Sequence, residues 1–233
     1  MIPLPLADRY GRVATDLRVS LTDRCNLRCS YCMPPEGLDW MPTDQVLTDD
    51  EVVRLVDIGV TRLGVEEVRF TGGEPLVRRG LMDIVRRVHE AHPTLEQSIT
   101  TNALGLARTA HALKEAGLTR VNASLDTIRR DTFAQITLRD RLDDVINGLA
   151  AAREAGLGPV KVNAVLLRGH NEDQAAELLA WALGEGYELR FIEQMPLDAQ
   201  HGWSRAKMVT ADEIHAMLEE RFALRASGEA RGS

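Results

Sequence analysis

The chain has 233 residues, 44% hydrophobic and 27% charged, with a net charge of −7. That length suits one domain with a sizeable core, and the composition is ordinary for a globular protein. The acidic balance argues against nucleic acid or an anionic membrane as partner. No apolar run approaches the ~20 residues of a membrane helix, and Met1 to Arg12 lacks the order of a signal peptide.

The first predicted strand runs from Asp16 to Leu21, where Leu17, Val19 and Leu21 alternate with polar neighbours. The chain's three cysteines follow it. Thr48 with Asp49, Asp50 and Glu51 predicts a helix start with a capping box and acids in the first turn, the helix running to Gly59 or Leu63. A strand over Glu67 to Phe70 leads into Thr71-Gly72-Gly73-Glu74-Pro75, and a helix spans Leu81 to Ala91. The alternation repeats: strand Leu95 to Thr100, helix Thr109 to Ala116, strand Arg120 to Ser124, helices Arg130 to Gln135 and Leu142 to Ala155. Strand Val160 to Leu166, helix Glu172 to Leu183, strand Glu188 to Ile192 and helix Thr210 to Arg221 complete it, with Ala226 to Ser233 read as a frayed tail. Strand–helix alternation with short loops predicts a parallel sheet with right-handed crossovers. The expected fold is α/β, a partial (β/α)6 TIM-like barrel, with a doubly wound open sheet as the alternative.

Cys25, Cys29 and Cys32 have the spacing Cys-x3-Cys-x2-Cys. Three thiols so close cannot all pair as disulfides, so a metal is the natural partner. A structural zinc usually takes four ligands, often in two pairs, and no second pair is present. A 4Fe–4S cluster takes thiolates, usually four. Three leave one iron with an open position. Clustered thiols also fit a reducing cytosol, so a cytoplasmic location is expected.

In parallel α/β folds, chemistry collects where strands finish. Here the strands end in the cysteine loop, in Gly72-Gly73-Glu74-Pro75, in Thr100-Thr101-Asn102, in Ser124-Leu125-Asp126 and in Glu193-Gln194-Met195-Pro196. The glycines either make a turn or let backbone approach a ligand, and Glu74 offers a carboxylate to an ammonium group. Tyr31 either borders a base or simply packs, and Met195 is either a wall for that base or core filler. Arg18, Arg69 and Lys161 lie inside strands. A charge buried there needs a carboxylate or a bound anion such as a nucleoside triphosphate. The six histidines show no ligand spacing and read as surface or core residues.

The octet Cys25 to Cys32 resembles the cluster loop of the radical S-adenosylmethionine (SAM) enzymes. Asp16 to Asn26, Arg69 to Leu76, Thr100 to Asn102, Asn122 to Asp126, Lys161 to Asn163 and Arg190 to Met195 together resemble the GTP 3',8-cyclase family, which begins molybdenum cofactor synthesis. The resemblance runs from about Asp8 to Phe222. It implies a radical SAM core over 1–222, with 223–233 a flexible tail or the truncated start of a C-terminal region. It implies a 4Fe–4S cluster on Cys25, Cys29 and Cys32, and SAM on the open iron with contacts from Tyr31, Gly73, Ser124 and Met195. It implies GTP contacts from Arg18, Arg69, Thr100 and Lys161. In that family a 5'-deoxyadenosyl radical takes the ribose 3' hydrogen of GTP, and the 3' carbon closes onto guanine C8. The implied partners are an electron donor and a downstream pterin-forming enzyme, with room for a homodimer. The family's second cysteine triplet is missing after Cys32, and Ala103 stands where glycine is usual. The expectation is a truncated chain with one cluster, one that cleaves SAM without cyclising GTP. Two other readings stand beside it: a different radical SAM enzyme, such as a peptide-modifying one, and a non-catalytic module that binds SAM and a cluster.

Overall fold

A computed structural model describes residues 6–196 and 202–226. A short antiparallel hairpin of β1 (Leu6–Ala7) and β2 (Val13–Ala14) precedes β3 (Asp16–Ser20). The alternation then runs α1 (Asp49–Leu63), β4 (Glu67–Thr71), α2 (Leu81–Ala91), β5 (Glu96–Thr101), α3 (Ala110–Glu115) and β6 (Arg120–Ser124). After α4 (Arg130–Thr137) and α5 (Leu142–Glu154) come β7 (Lys161–Val165), α6 (Ala175–Glu185), β8 (Glu188–Ile192) and α7 (Ala211–Glu219). The strand order of the six-stranded sheet is the chain order, β3 to β8. That sequential order of parallel strands is the topology of a partial (β/α)6 barrel and excludes the doubly wound alternative.

The residues divide into two compact units. The first comprises Met1–Asn26, Asp39–Ala123 and Asp143–Val160. In it Thr48 caps α1, accepting from Glu51 N while the Glu51 carboxylate accepts from Thr48 N, and Gly64 ends the helix in the left-handed conformation. Helix α2 buries Leu81, Ile84, Val85 and Val88, a one-sided helical stripe. Alternation along the strands sorts the two sheet faces. Val68, Phe70, Ile99, Val121 and Ala123 are fully buried. The intervening positions carry Asp16 and Arg18, Glu67 and Arg69, Ser98 and Thr100, Arg120 and Asn122. One sheet face is therefore apolar and the other polar, unlike the near-continuous apolar runs usual in covered parallel strands.

The second unit comprises Leu27–Leu38, Ser124–Leu142 and Lys161–Ser233. Its core joins Leu166, Ala175, Val209, Ile214 and Leu218. Thr210 and Glu213 form a second capping box at the start of α7. The predicted boundaries coincide with these at α2, β6 and β8 and differ by at most three residues elsewhere, and the β1–β2 hairpin has too few residues to show a period. The predicted tail from Ser227 onward lies outside the described residues.

Candidate active site

In the first unit, β4 runs into Gly72-Gly73-Glu74. Gly73 N donates to Thr22 O at 2.7 Å and Glu74 N to Arg24 O at 2.8 Å. A Cβ on Gly72 would lie 2.3 Å from Thr22 O, and one on Gly73 would lie 2.4 Å from both Asp23 O and Arg24 O. Gly72 also has φ +143. These glycines let two backbones meet, and the chain they hold is the one entering Cys25. Gly73 remains exposed.

Glu74 departs from the expectation that it offers its carboxylate outward. It is 0% exposed. Its oxygens accept from Thr101 Oγ1 at 2.7 Å, Asn102 N at 2.7 Å and Leu76 N at 2.9 Å. Burial raises its pKa above the usual carboxylate value, against the pull of those donors. Glu74 thus ties the end of β5 to the end of β4. Asn102, beside it, donates from Nδ2 to Asn26 Oδ1 at 2.8 Å and to Cys25 Sγ at 3.8 Å. Ala103 has φ 62 with its methyl buried, which accounts for a glycine preference at that position.

The polar sheet face carries three predicted substrate residues. Arg18 stands directly opposite Arg69 in the β3–β4 register, and Arg69 opposite Ser98. Thr100 is half-buried and lies opposite Asn122. The expectation of buried cations holds for Arg69 on this face but not for Arg18, and carboxylates answer it at Arg69. Arg69 pairs with Asp16 at 3.2 Å and Glu67 at 3.0 Å, and Arg120 joins the same Glu67. Arg18 is exposed, and among the described residues its side chain has no ion pair. Asn122, 3% exposed, has an Nδ2 that finds no acceptor among the described residues.

In the second unit, Cys29 and Cys32 lie on a loop whose backbone is fixed by α4. Arg28 N donates to Thr137 O at 3.0 Å and Ser30 N to Ile136 O at 2.8 Å. Carbonyls at a helix C-terminus lack partners within the helix, and the loop supplies them. Tyr31 donates its hydroxyl to Asp126 Oδ2 at 2.8 Å, and Asp126 Oδ1 accepts from Val165 N at 2.9 Å. Burial drives the Asp126 pKa up to about 6, the two donors pulling the other way. Burial, then the nearby Asp126 carboxylate, pushes the Tyr31 phenol well above its ordinary value. Asn171 braces this corner, donating to Asp126 O at 2.8 Å and Val165 O at 3.0 Å.

A cavity of ≈ 260 Å³ opens beside Tyr31, lined also by Arg168, His170, Gln194, Trp203 and Lys207. His170, which the sequence placed among surface or core residues, lines it. Met195 is 56% exposed and does not line it, although its neighbour Gln194 does. Ser124 is exposed at the end of β6. Lys161 is mostly buried and lies 3.6 Å from Glu188. His201 lies outside the described residues.

The donor chemistry suits an iron–sulfur group. All three cysteines are thiols, Cys25 and Cys29 half-buried and Cys32 exposed. Cys32 is exposed as a residue, yet protein around its sulfur raises the thiol pKa. Among the described residues no three His, Cys, Asp or Glu side chains gather on a single ion. A cubane puts each thiolate on its own iron, so it asks for sulfur donors and no such single-ion cage.

The radical SAM superfamily pattern matches residues 19–182. GTP 3',8-cyclase from Streptomyces coelicolor is 67% identical over 98% of this chain and 67% of its own length. The chain belongs to the radical SAM superfamily, in its GTP 3',8-cyclase family. A second relative, GTP 3',8-cyclase from Paenarthrobacter nicotinovorans, is 58% identical over 97% of this chain and 64% of its own. The chain thus spans about two thirds of the length of these curated relatives. Among solved structures, Streptococcus suis SuiB matches with TM-score 0.68 at 18% identity, over 88% of this chain and 45% of that one. Methylornithine synthase matches with TM-score 0.66 at 15% identity, over 88% and 62%. At those identities the likeness is one of fold. Membership in the superfamily implies a 4Fe–4S cluster and SAM. Among the described residues no helix is long and apolar enough to cross a membrane.

Proposed function

We propose that this chain carries the radical-forming core of a GTP 3',8-cyclase, a lyase of molybdenum cofactor biosynthesis, with residues 1–222 as that core. The observation that carries the reading is the 67% identity, over 98% of the chain, to a GTP 3',8-cyclase. Cys25, Cys29 and Cys32 hold one 4Fe–4S cluster and leave its fourth iron to SAM. When bound, that cluster would supply the electron for the reductive cleavage of SAM.

The chain's own residues bind and orient. Tyr31, Gly73, Ser124 and Met195 contact SAM, and the cavity beside Tyr31 has the aromatic and polar lining a purine nucleoside needs. Arg18, Arg69, Thr100 and Lys161 contact GTP. Arg18 supports a phosphate ligand most directly. Two guanidiniums side by side repel, and among the described residues only Arg69 of the two has carboxylates to offset its charge. A triphosphate over Arg18 relieves that repulsion, whereas a neutral peptide does not. The family's second cluster has no cysteines in this stretch, so the 233-residue chain cleaves SAM without completing the cyclisation. The reading includes an electron donor, a downstream pterin-forming enzyme, a homodimer and a cytoplasmic setting.

Anaerobic reconstitution with iron and sulfide tests it. The expected result is about four irons per chain, GTP binding weakened at least tenfold by Arg18→Ala, and 5'-deoxyadenosine released under reduction. A chain that assembles no cubane, or that binds GTP equally without Arg18, overturns the reading. Cyclised GTP from this polypeptide alone overturns the claim that cyclisation needs the second cluster.

A further inference from the structure

We infer that Asn102 is a positioning residue for the cluster ligand Cys25, donating an N–H to its sulfur while buried Glu74 holds it in place. The inference rests on the reading of Cys25 as a ligand.

The orientation of the Asn102 amide is fixed by its neighbours. Leu104 N, which can only donate, gives its hydrogen to Asn102 Oδ1 at 2.9 Å. The other end of the amide is therefore the NH2. It carries two hydrogens, and two acceptors face it: Asn26 Oδ1 at 2.8 Å and Cys25 Sγ at 3.8 Å. The backbone of Asn102 is pinned in turn, because its N–H is bound to Glu74 Oε2 at 2.7 Å. Thr101 Oγ1 donates to Glu74 Oε1 and accepts from Ala103 N at 3.0 Å, closing the turn around Asn102. Glu74 acts on the metal loop through Asn102 and has no exposed surface to offer a ligand.

An N–H pointed at a cysteinyl sulfur withdraws charge from it. That favours the reduced, more negative cluster, so the bond raises the reduction potential. Removing it lowers the potential. The bond is long, so the expected effect is modest.

An EPR-monitored redox titration of the reconstituted chain without SAM measures this directly. Asn102→Ala makes reduction about threefold less favourable, roughly 28 mV at 59 mV per decade. Asn102→Asp has the same shape and keeps the acceptor for Leu104 N, but turns a carboxylate oxygen toward sulfur. It shifts the potential in the same direction and at least as far, and it carries the test if the alanine variant fails to fold. A potential indistinguishable from native in either variant that holds a cluster overturns the inference and leaves the proposed function standing. A native chain with no cluster overturns both.

Discussion

Glu74 and Asp126 are buried carboxylates at two strand ends, and each does something different with its burial. Glu74 follows β4 and is surrounded by three donors, two of them backbone N–H groups. Asp126 follows β6 and has one backbone donor and one phenol. The first stitches loops together and reaches Cys25 through Asn102. The second holds Tyr31, which stands between Cys29 and Cys32. Both serve the cysteine loop without touching a sulfur. The contrast shows that a strand-end acid can build a site by fixing backbone or by aiming a side chain.

Breaking the first arrangement has the largest effect. Glu74→Ala leaves three buried donors unanswered and lowers stability by about 4 kcal/mol. Urea denaturation at pH 7 reads this as a fall in midpoint with the slope unchanged.

The second arrangement is read through pH. Asp126 has its folded pKa raised from 3.8 to about 6, so the fold binds this proton more tightly than the unfolded chain does. Its contribution is fully present below pH 4 and is lost as pH rises through 6. Asp126→Asn does not titrate. The stability of that variant relative to native therefore rises by about 2 kcal/mol from pH 4 to pH 7. A difference that stays flat across that range refutes the buried, ionising Asp126. Glu74 titrates in both proteins and cancels.

Tyr31→Phe sharpens the comparison by removing one donor from Asp126. It costs about 2 kcal/mol at pH 7, as expected for a hydrogen bond to a charged group. It also moves the pH dependence of stability upward. Ala103→Gly is the smallest change. Relief of left-handed strain of about 1–2 kcal/mol meets loss of a buried methyl and the entropy of glycine, each about 0.8 kcal/mol. The net shift in thermal unfolding stays within about 1 kcal/mol.

What could be read before folding was whatever acts over a few residues. The capping box at Thr48 and Glu51 and the six strands of the parallel sheet follow from local pattern. The cysteine loop was legible because its ligands are neighbours in sequence. The charge pairing was not. Asp16 and Arg18, like Glu67 and Arg69, are two apart and so share a face. Only the register that sets Asp16 beside Glu67 makes Arg69 a paired residue and leaves Arg18 outside the pair. The bond from Tyr31 to Asp126 spans 95 residues, and no local signal reports it. Asn102 was visible as part of a strand-end triplet, but its aim depends on Leu104 and Glu74 acting together.

The double glycine after β4 has a bearing on how variants of this molecule are interpreted. Its Cα hydrogens already face carbonyl oxygens of the preceding loop, so even a methyl group is excluded before any small molecule arrives. Lost turnover in a Gly73 variant would therefore report a displaced scaffold first. A titration of affinity is informative at that position only after the loop has been shown, by crystallography or amide exchange, to stay where it was.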